Sequence, residues 1–313
     1  MITLTQLEYI VAVDTHRHFG KAAQACFITQ PTLSMQIKKL EEDLEVVIFD
    51  RSRQPLIPTS IGRQILEQAR IILQQKDVVN EIIKEHKRQI EGTLKIGVIP
   101  TLAPYVIPRF VGNFKRKYPD VHLKIEELTT QEIITKLGKD LIDVGILVTP
   151  LKNEKIAEKP MFYERMMLYV NPNHPLASAE EVNVHDVSVP EMWLLGDGHC
   201  FRNQVVNLCA QNNIAGESLP FSFEAGSLET IMNIIDREGG ITLIPELAYK
   251  DMSEERKKQV RTFKNINPVR EVSLAYSHHY AKTSQIKRLA QEIMQSVAKE
   301  MLDKKRGVIV DID

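Results

Sequence analysis

Three cysteines occur in 313 residues, and two of them, Cys200 and Cys209, stand nine positions apart in GDGHCFRNQVVNLC (196–209). That spacing fits no zinc-binding pattern, and no other run suggests a metal or cofactor, so the chemistry to consider is that of thiols. If the segment from 200 to 209 is helical, the two Cα atoms lie about 13.5 Å apart along the axis and face opposite sides. A disulfide needs Cα atoms within about 7 Å. The pair therefore either never bonds or bonds only after the segment unwinds. Such spacing suits an element with two states, one helical and reduced, the other looped and oxidised. The competing reading is that each is a small buried hydrophobe, the usual role of an isolated helical cysteine. Cys26, in the N-terminal region, is read that way, with no sensing role.

A reactive cysteine must become a thiolate, which requires a lowered pKa. Cys200 stands at the expected start of a helix, where free N–H groups and the helix dipole favour an anion. His199 and Arg202 are candidate cationic neighbours, and Asp197 opposes them. A polar oxidant also needs oriented groups around it. In α/β sheets these gather outside the carboxyl ends of strands. Thr101 follows KIGVIP at such an end, and Thr130 follows KIEEL ahead of a helical pattern, with Thr129 beside it as the alternative. Thr101 and Thr130 could equally be helix N-caps, as could Ser227 ahead of LETI.

The elements that must position these groups begin at Gly92. TLKIGVI, VHLKIEEL, LIDVGILV, RMMLYVN, EMWLLGDG, PFSFEAG, GGITLIP and VREVSLAYS read as strands, with helical patterns between most of them. The pattern predicts an α/β region with parallel sheets. These strands could form one sheet or two, and the expected division is into subdomain I, 92–163 plus 268–303, and subdomain II, 164–267, joined by crossing segments near 163–165 and 266–269. The tail 304–313 carries no motif. Ahead of this region, 61–91 is one long helical pattern whose Ile65, Ala69, Ile72, Lys76, Val79, Ile83, His86 and Ile90 alternate four and three apart. That is a heptad seam, and it predicts a dimerising helix over an amphipathic helix lying on its own domain.

Residues 1–60 read as three short helices and a hairpin. PTLSMQIKKLEEDL buries Leu33, Ile37, Leu40 and Leu44 and starts with Pro31, which suits a first helical turn. With the preceding GKAAQAC helix it forms a helix-turn-helix, and 46–60 supplies a wing. Net charge is −1, so overall charge does not point to nucleic acid, but its distribution does. From Thr15 to Leu40 the chain holds Arg17, Lys21, Lys38 and Lys39 and no Asp or Glu, and Arg51 and Arg53 follow in the wing. Gln30, Pro31, Thr32, Ser34 and Gln36 lie on the polar side, where they can reach base edges or phosphates. Three cysteines argue against a disulfide-built secreted scaffold, the N-terminus lacks signal-peptide features, and no apolar run is long enough for a bilayer span, so a cytoplasmic protein without a membrane partner is expected.

The stretch LEYIVAVDTHRHFGKAAQACFITQPTLSMQIKKLEEDLEVVIFDRS (7–52) resembles the winged helix of LysR-type transcriptional regulators, and the resemblance continues to about residue 300. RHF, TQPTLS, IPT, DGHC, SLET and GITLIP are similar to motifs of the peroxide-sensing members of that family. The resemblance implies an all-α winged helix-turn-helix, a linker helix, and an effector region of two Rossmann-like subdomains like those of periplasmic binding proteins. It implies a DNA-binding regulator of oxidative-stress genes rather than an enzyme, acting as a homodimer or homotetramer with promoter DNA, hydrogen peroxide and RNA polymerase as partners. It also implies Cys200 as the peroxidatic thiol, Cys209 as the resolving thiol, and His199, Thr101, Thr130 and Arg270 around the reacting sulfur, with Arg202 a candidate neighbour from its position alone. The competing functions are a LysR-type regulator that binds a small anionic effector without cysteine chemistry, a thiol peroxidase turning over at Cys200, and a solute-binding protein.

Overall fold

In the first unit the helix caps are written into the sequence. The computed structural model describes residues 2–52, 55–86, 90–187, 189–196, 198–209, 225–277 and 282–312. The chain forms two compact units, residues up to 89 with 279–283, and residues 90–278 with 284–313. Helix α1 (Leu4–His16) starts from a Thr3–Gln6 capping box. Helix α2 (Phe19–Ala25) is capped by the His18 ring. Helix α3 (Gln30–Asp43) is capped by Thr29, with Pro31 in its first turn. The expected stripe Leu33, Ile37 and Leu40 is buried against Leu7, Ile10, Val13, Ala22 and Ala23. Strands β1 (Phe49–Asp50) and β2 (Ile57–Pro58) form the antiparallel wing. Cys26 departs from the expected core position: it is half-buried at the end of α2.

Helix α4 (Ser60–His86) is half core and half surface. Leu66 and Ala69 are buried in the head, with Ile65 and Leu73 packed beside them. Beyond that point Ile72, Val79, Ile82 and Ile83 are exposed. Lys76 is paired with Glu8 at 2.6 Å.

The second unit is built on one sheet in which two long strands carry the connections. Its elements are β3 (Gly92–Val98), α5 (Ala103–Lys117), β4 (Val121–Glu127), α6 (Thr130–Leu137), β5 (Val144–Thr149), β6 (Ile156–Val170) and β7 (Glu181–Val182). There follow α7 (Cys200–Cys209), α8 (Leu228–Glu238), β8 (Ile241–Pro245), α9 (Glu246–Asp251), α10 (Glu254–Lys257), β9 (Val260–Phe263), β10 (Pro268–Ser277), α11 (Thr283–Ser296) and β11 (Val308–Ile309). The strand order is β4-β3-β5-β10-β6-β9-β7, with β8 beside β6 and β11 beside β10.

The expected parallel sheets need correction. β3, β4 and β5 are parallel, but β10 runs antiparallel to both β5 and β6, and β6 is antiparallel to β8 and β9. The reason is that β6 and β10 each cross between the two halves, so each returns against its neighbours. EMWLLGDG forms no extended strand, only single bridges from Met192 to Ile241 and from Leu195 to Ala225. Most of PFSFEAG lies outside the described residues. The tail, excluded from the expected regulatory region, belongs to the second unit: β11 pairs with Pro268 and Val269, and Val310 and Ile312 are buried.

Candidate functional site

Gly198, at φ +89, turns the chain directly ahead of α7 in a conformation that L side chains rarely adopt. Cys200 is thereby the first residue of that helix, only 8% exposed. Its cleft is lined by Ile99, Pro100 and Thr101 after β3, by Thr129 and Thr130 after β4, and by Gly198–Phe201. These are the carboxyl ends of two adjacent parallel strands, where the sequence places a polar site. The cleft is narrow and leaves no position for a water-sized sphere.

The threonines separate by role. Thr129 is the N-cap of α6, with a capping box to Glu132. Thr130, one position on, has a buried hydroxyl with no well-formed hydrogen bond, and it lies close enough to the Cys200 thiol to lower its pKa. Thr101 is not a cap: α5 is preceded by Leu102, and Thr101 Oγ1 accepts from Arg270 Nη1 at 2.9 Å. Ser227 takes the N-cap position of α8 without a capping bond.

Arg270, from β10, is wholly buried and organises the floor of the site. Its Nη2 donates to the Thr101 carbonyl at 3.1 Å, and Glu164 of β6 accepts from Nε at 2.7 Å and pairs with Nη2 at 2.6 Å. The guanidinium carbon stands 5.1 Å from the Phe201 ring centroid, a cation–π distance. Glu164 and Phe201 were not anticipated. A glutamate beside Arg165 in the otherwise apolar YERMMLYV was a readable signal for the first, since buried strands rarely carry unpaired charge. Phe201 looked like any core residue.

The electrostatics correct one expectation. Burial pushes the Cys200 thiol up, against the Thr130 hydroxyl, the Arg270 charge and the N–H groups of Phe201 and Cys200, which pull it down. Burial wins, so the resting thiol is protonated, whereas the helix-start reasoning predicted a lowered pKa. His199 supplies no charge, because burial lowers its pKa and keeps the ring neutral. Arg202 directs Nη1 to the Leu195 carbonyl at 3.2 Å. The cation acting on the sulfur is Arg270. Asp197 lies outside the described residues.

Cys200 and Cys209 are both unbonded and sit at opposite ends of α7. Cys209 shares a core with Phe201 and Val205, one helical face, and burial alone pushes its thiol up to about 12. Cys200 and Gln204 occupy the other side.

The expected nucleic-acid residues all lie in the first unit. Gln30, Pro31, Lys38 and Lys39 are exposed on α3, and Thr32, Ser34 and Gln36 are half-buried. Thr32 shares a 2.8 Å hydrogen bond with Thr29, and Lys38 lies 3.6 Å from Glu42. Arg51 is paired with Glu41 at 2.8 Å and stacks 5.5 Å from the Phe19 ring centroid. Arg53 lies outside the described residues. Met35, not anticipated, is 62% exposed on the same helix.

Residues 4–63 match the model of the bacterial regulatory helix-turn-helix protein, lysR family, and residues 87–298 match the LysR substrate binding domain. A hydrogen peroxide-inducible genes activator from Haemophilus influenzae is 33% identical over 96% of this chain and 99% of its own length. The Escherichia coli DNA-binding transcriptional dual regulator OxyR is 33% identical over 93% and 95%. Among solved structures, a full-length cysteine-to-aspartate variant of OxyR from Pseudomonas aeruginosa superposes with a TM-score of 0.77 at 32% identity, covering 94% of this chain and 98% of that one. A hydrogen peroxide-bound cysteine-to-serine variant of OxyR from Corynebacterium glutamicum gives 0.61 at 27% identity, covering 94% and 92%.

Proposed function

The chain belongs to the LysR family of bacterial helix-turn-helix regulators, and on that premise we propose that it is a hydrogen-peroxide-sensing transcriptional regulator whose sensor thiol is Cys200. One observation carries this reading: a buried thiol faces an unsatisfied threonine hydroxyl and a buried arginine at the start of a helix whose far end bears the second thiol.

The cleft, closed at rest to a water-sized sphere, must widen to admit peroxide between Thr130 and Thr101, whose hydroxyls then orient its two oxygens, while Arg270 and the helix N–H groups stabilise the thiolate as it forms. His199 borders the cleft as a neutral hydrogen-bonding ring, and Arg202 holds the turn that leads into α7. The Cys200 sulfur attacks one peroxide oxygen and the O–O bond breaks. The departing oxygen takes the thiol proton and leaves as water, and Cys200 becomes a sulfenic acid. After α7 unwinds, the Cys209 sulfur attacks Cys200. The S–S bond forms, the S–O bond breaks, and the hydroxyl departs with the Cys209 proton as a second water. One peroxide is reduced and two thiols are oxidised.

The refolded segment then alters DNA binding by the winged helices, whose Gln30, Pro31, Thr32, Ser34, Gln36, Lys38, Lys39, Arg51 and Arg53 face the operator, and so alters transcription of oxidative-stress genes. On this reading residues 1–60 are the DNA-binding head, 61–91 a dimerising linker, and 92–303 the regulatory region, divided where β6 and β10 change partners. The protein works in the cytoplasm as a homodimer or homotetramer alongside RNA polymerase, and it is a regulator, not a turnover catalyst. An anionic effector is less well suited to the cleft, because the charge of Arg270 is already committed to Glu164.

Mass spectrometry of the tryptic fragments bearing Cys200 and Cys209, before and after one equivalent of peroxide, tests the proposal. The linked fragment is expected only after oxidation. Cys200→Ser must lose both the link and the peroxide-induced change in DNA footprint, and Cys209→Ser must accumulate sulfenic acid. A footprint that still responds in Cys200→Ser overturns the assignment, and sustained peroxide consumption with a reductant would make the protein an enzyme.

A further inference from the structure

The helix between the two thiols is held by a part of the chain that carries no recognisable motif. FRNQVVNL contains two asparagines and two β-branched valines, residues with weak intrinsic helix preference. What keeps it wound must come from tertiary contacts. Three amide side chains of α7 donate to three consecutive carbonyls of the tail: Gln204 Nε2 to Val310 at 2.9 Å, Asn207 Nδ2 to Asp311 at 3.2 Å, and Asn203 Nδ2 to Ile312 at 3.2 Å. Gln204 is completely buried, and its carbonyl oxygen makes no bond of its own. Among the described residues, the side chain's hydrogen bond is the one to the tail.

The tail is itself anchored. Arg306 donates to the Tyr163 carbonyl at 2.9 Å and pairs with Glu246 at 2.9 Å. The Val308 and Val310 amides donate to the carbonyls of Asn267 and Val269 at 2.8 and 2.9 Å, so the tail runs beside the strand that presents Arg270. Gly307 permits this approach, since a Cβ there would meet the Asn267 carbonyl oxygen at 2.2 Å. The Val310 side chain packs into the same core as Phe201, Val205 and Cys209.

We infer that Gln204 is a positioning residue and that residues 308–312 form a clamp that holds the Cys200–Cys209 helix wound, so that disulfide formation requires the Gln204–Val310 bond to break. The inference rests on the proposed Cys200–Cys209 disulfide. The clamp sets the speed of the resolving step and not that of peroxide attack, because neither the cleft lining, Thr101 and Thr130 among it, nor the Arg270 guanidinium bonded to Thr101 includes the tail.

The test uses the full-length reduced protein carrying Gln204→Leu, which keeps the buried bulk and removes the donor. The double variant Asn203→Asp/Asn207→Asp is compared with it, because it removes two donors at surface positions where a folding failure is not expected. Hydrogen exchange of the amides in 200–209 is measured first, then sulfenic acid formation and thiol loss after peroxide are followed separately. A net hydrogen bond corresponds to roughly three- to tenfold. Gln204→Leu is expected to speed exchange in α7 and the sulfenic-acid-to-disulfide step by that factor, and the double variant, which loses two bonds, by at least as much, both leaving the rate of sulfenic acid formation within about twofold. Unchanged exchange in both variants overturns the clamp, as does a change in peroxide attack equal to that in resolution. A wild-type protein that forms no disulfide would sink the underlying sensing reading, while the exchange measurement still decides the clamp.

Discussion

At Cys200 burial and polar contact pull in opposite directions, and the balance decides what the thiol does at rest. On the proposed reading the closed cleft excludes bulky electrophiles, and a small hydrogen-bonding oxidant recruits Thr130 and Arg270 as it enters. Thr130→Val keeps the shape and removes the hydroxyl, so sulfenic acid formation under excess peroxide is expected to slow at least about tenfold with no change in Tm beyond a degree or two. Undiminished rates would remove Thr130 from the site. The Arg270–Glu164 pair makes a sharper case. Breaking one side of a buried ion pair costs about 3–5 kcal/mol, whereas replacing both by apolar residues is often neutral. Glu164→Leu alone should therefore destabilise strongly. The double variant Glu164→Leu/Arg270→Met should regain most of that stability in denaturant titrations yet stay slow towards peroxide. Burial of the thiols also fixes a pH dependence. A thiol whose pKa is raised in the fold stabilises it fully below the ordinary value, 9.0, and that contribution is lost as pH climbs towards the folded value, about 12 for Cys209. Unfolding free energy of the reduced protein is expected to fall as pH rises above 9.0, and Cys209→Ala should flatten part of that decline.

Among the elements, α7 is rich in residues of weak intrinsic helix preference. Raising its intrinsic preference without touching its contacts should slow the switch. Val206→Ala, at a half-buried position, adds about 0.5 kcal/mol of helix propensity, and the disulfide step is expected to slow about twofold with unchanged peroxide attack. Stopped-flow separation of the two phases measures this. On α3 and the wing, the ion pairs grade the cations. Lys38 lies only loosely by Glu42, while Arg51 is held at 2.8 Å by Glu41, which also accepts the amides of Ile48 and Phe49. Lys38→Ala should reduce the salt dependence of DNA binding by about one phosphate contact, and Arg51→Ala by less.

For the molecule as a whole, the exposed half of α4 is the feature that the single chain leaves open. Ile72, Val79 and Ile83 recur at seven and four, the spacing of a two-helix seam, and each is about half exposed. Ile83→Glu places a charge in that seam and is expected to shift sedimentation from dimer towards monomer and to weaken operator binding by at least about tenfold, since paired heads read paired half-sites. A dimer of undiminished stability would move the interface elsewhere.

Much of this protein could be read without coordinates, because the signals are local. Heptad spacing, helix caps, the charge gap before Leu40 and the nine-residue cysteine interval depend only on neighbours in the chain, and a helix turns nine residues into a distance too long for a sulfur–sulfur bond. The antiparallel crossing of β6 and β10, the choice of Thr130 over Thr129, the raised pKa of Cys200 and the attachment of the tail to α7 were not legible. Each depends on residues more than forty positions apart meeting in the fold: Arg270 with Glu164 and Thr101, Gln204 with Val310. Burial, not residue type, then decided whether a charge, a proton or a hydrogen bond persists there.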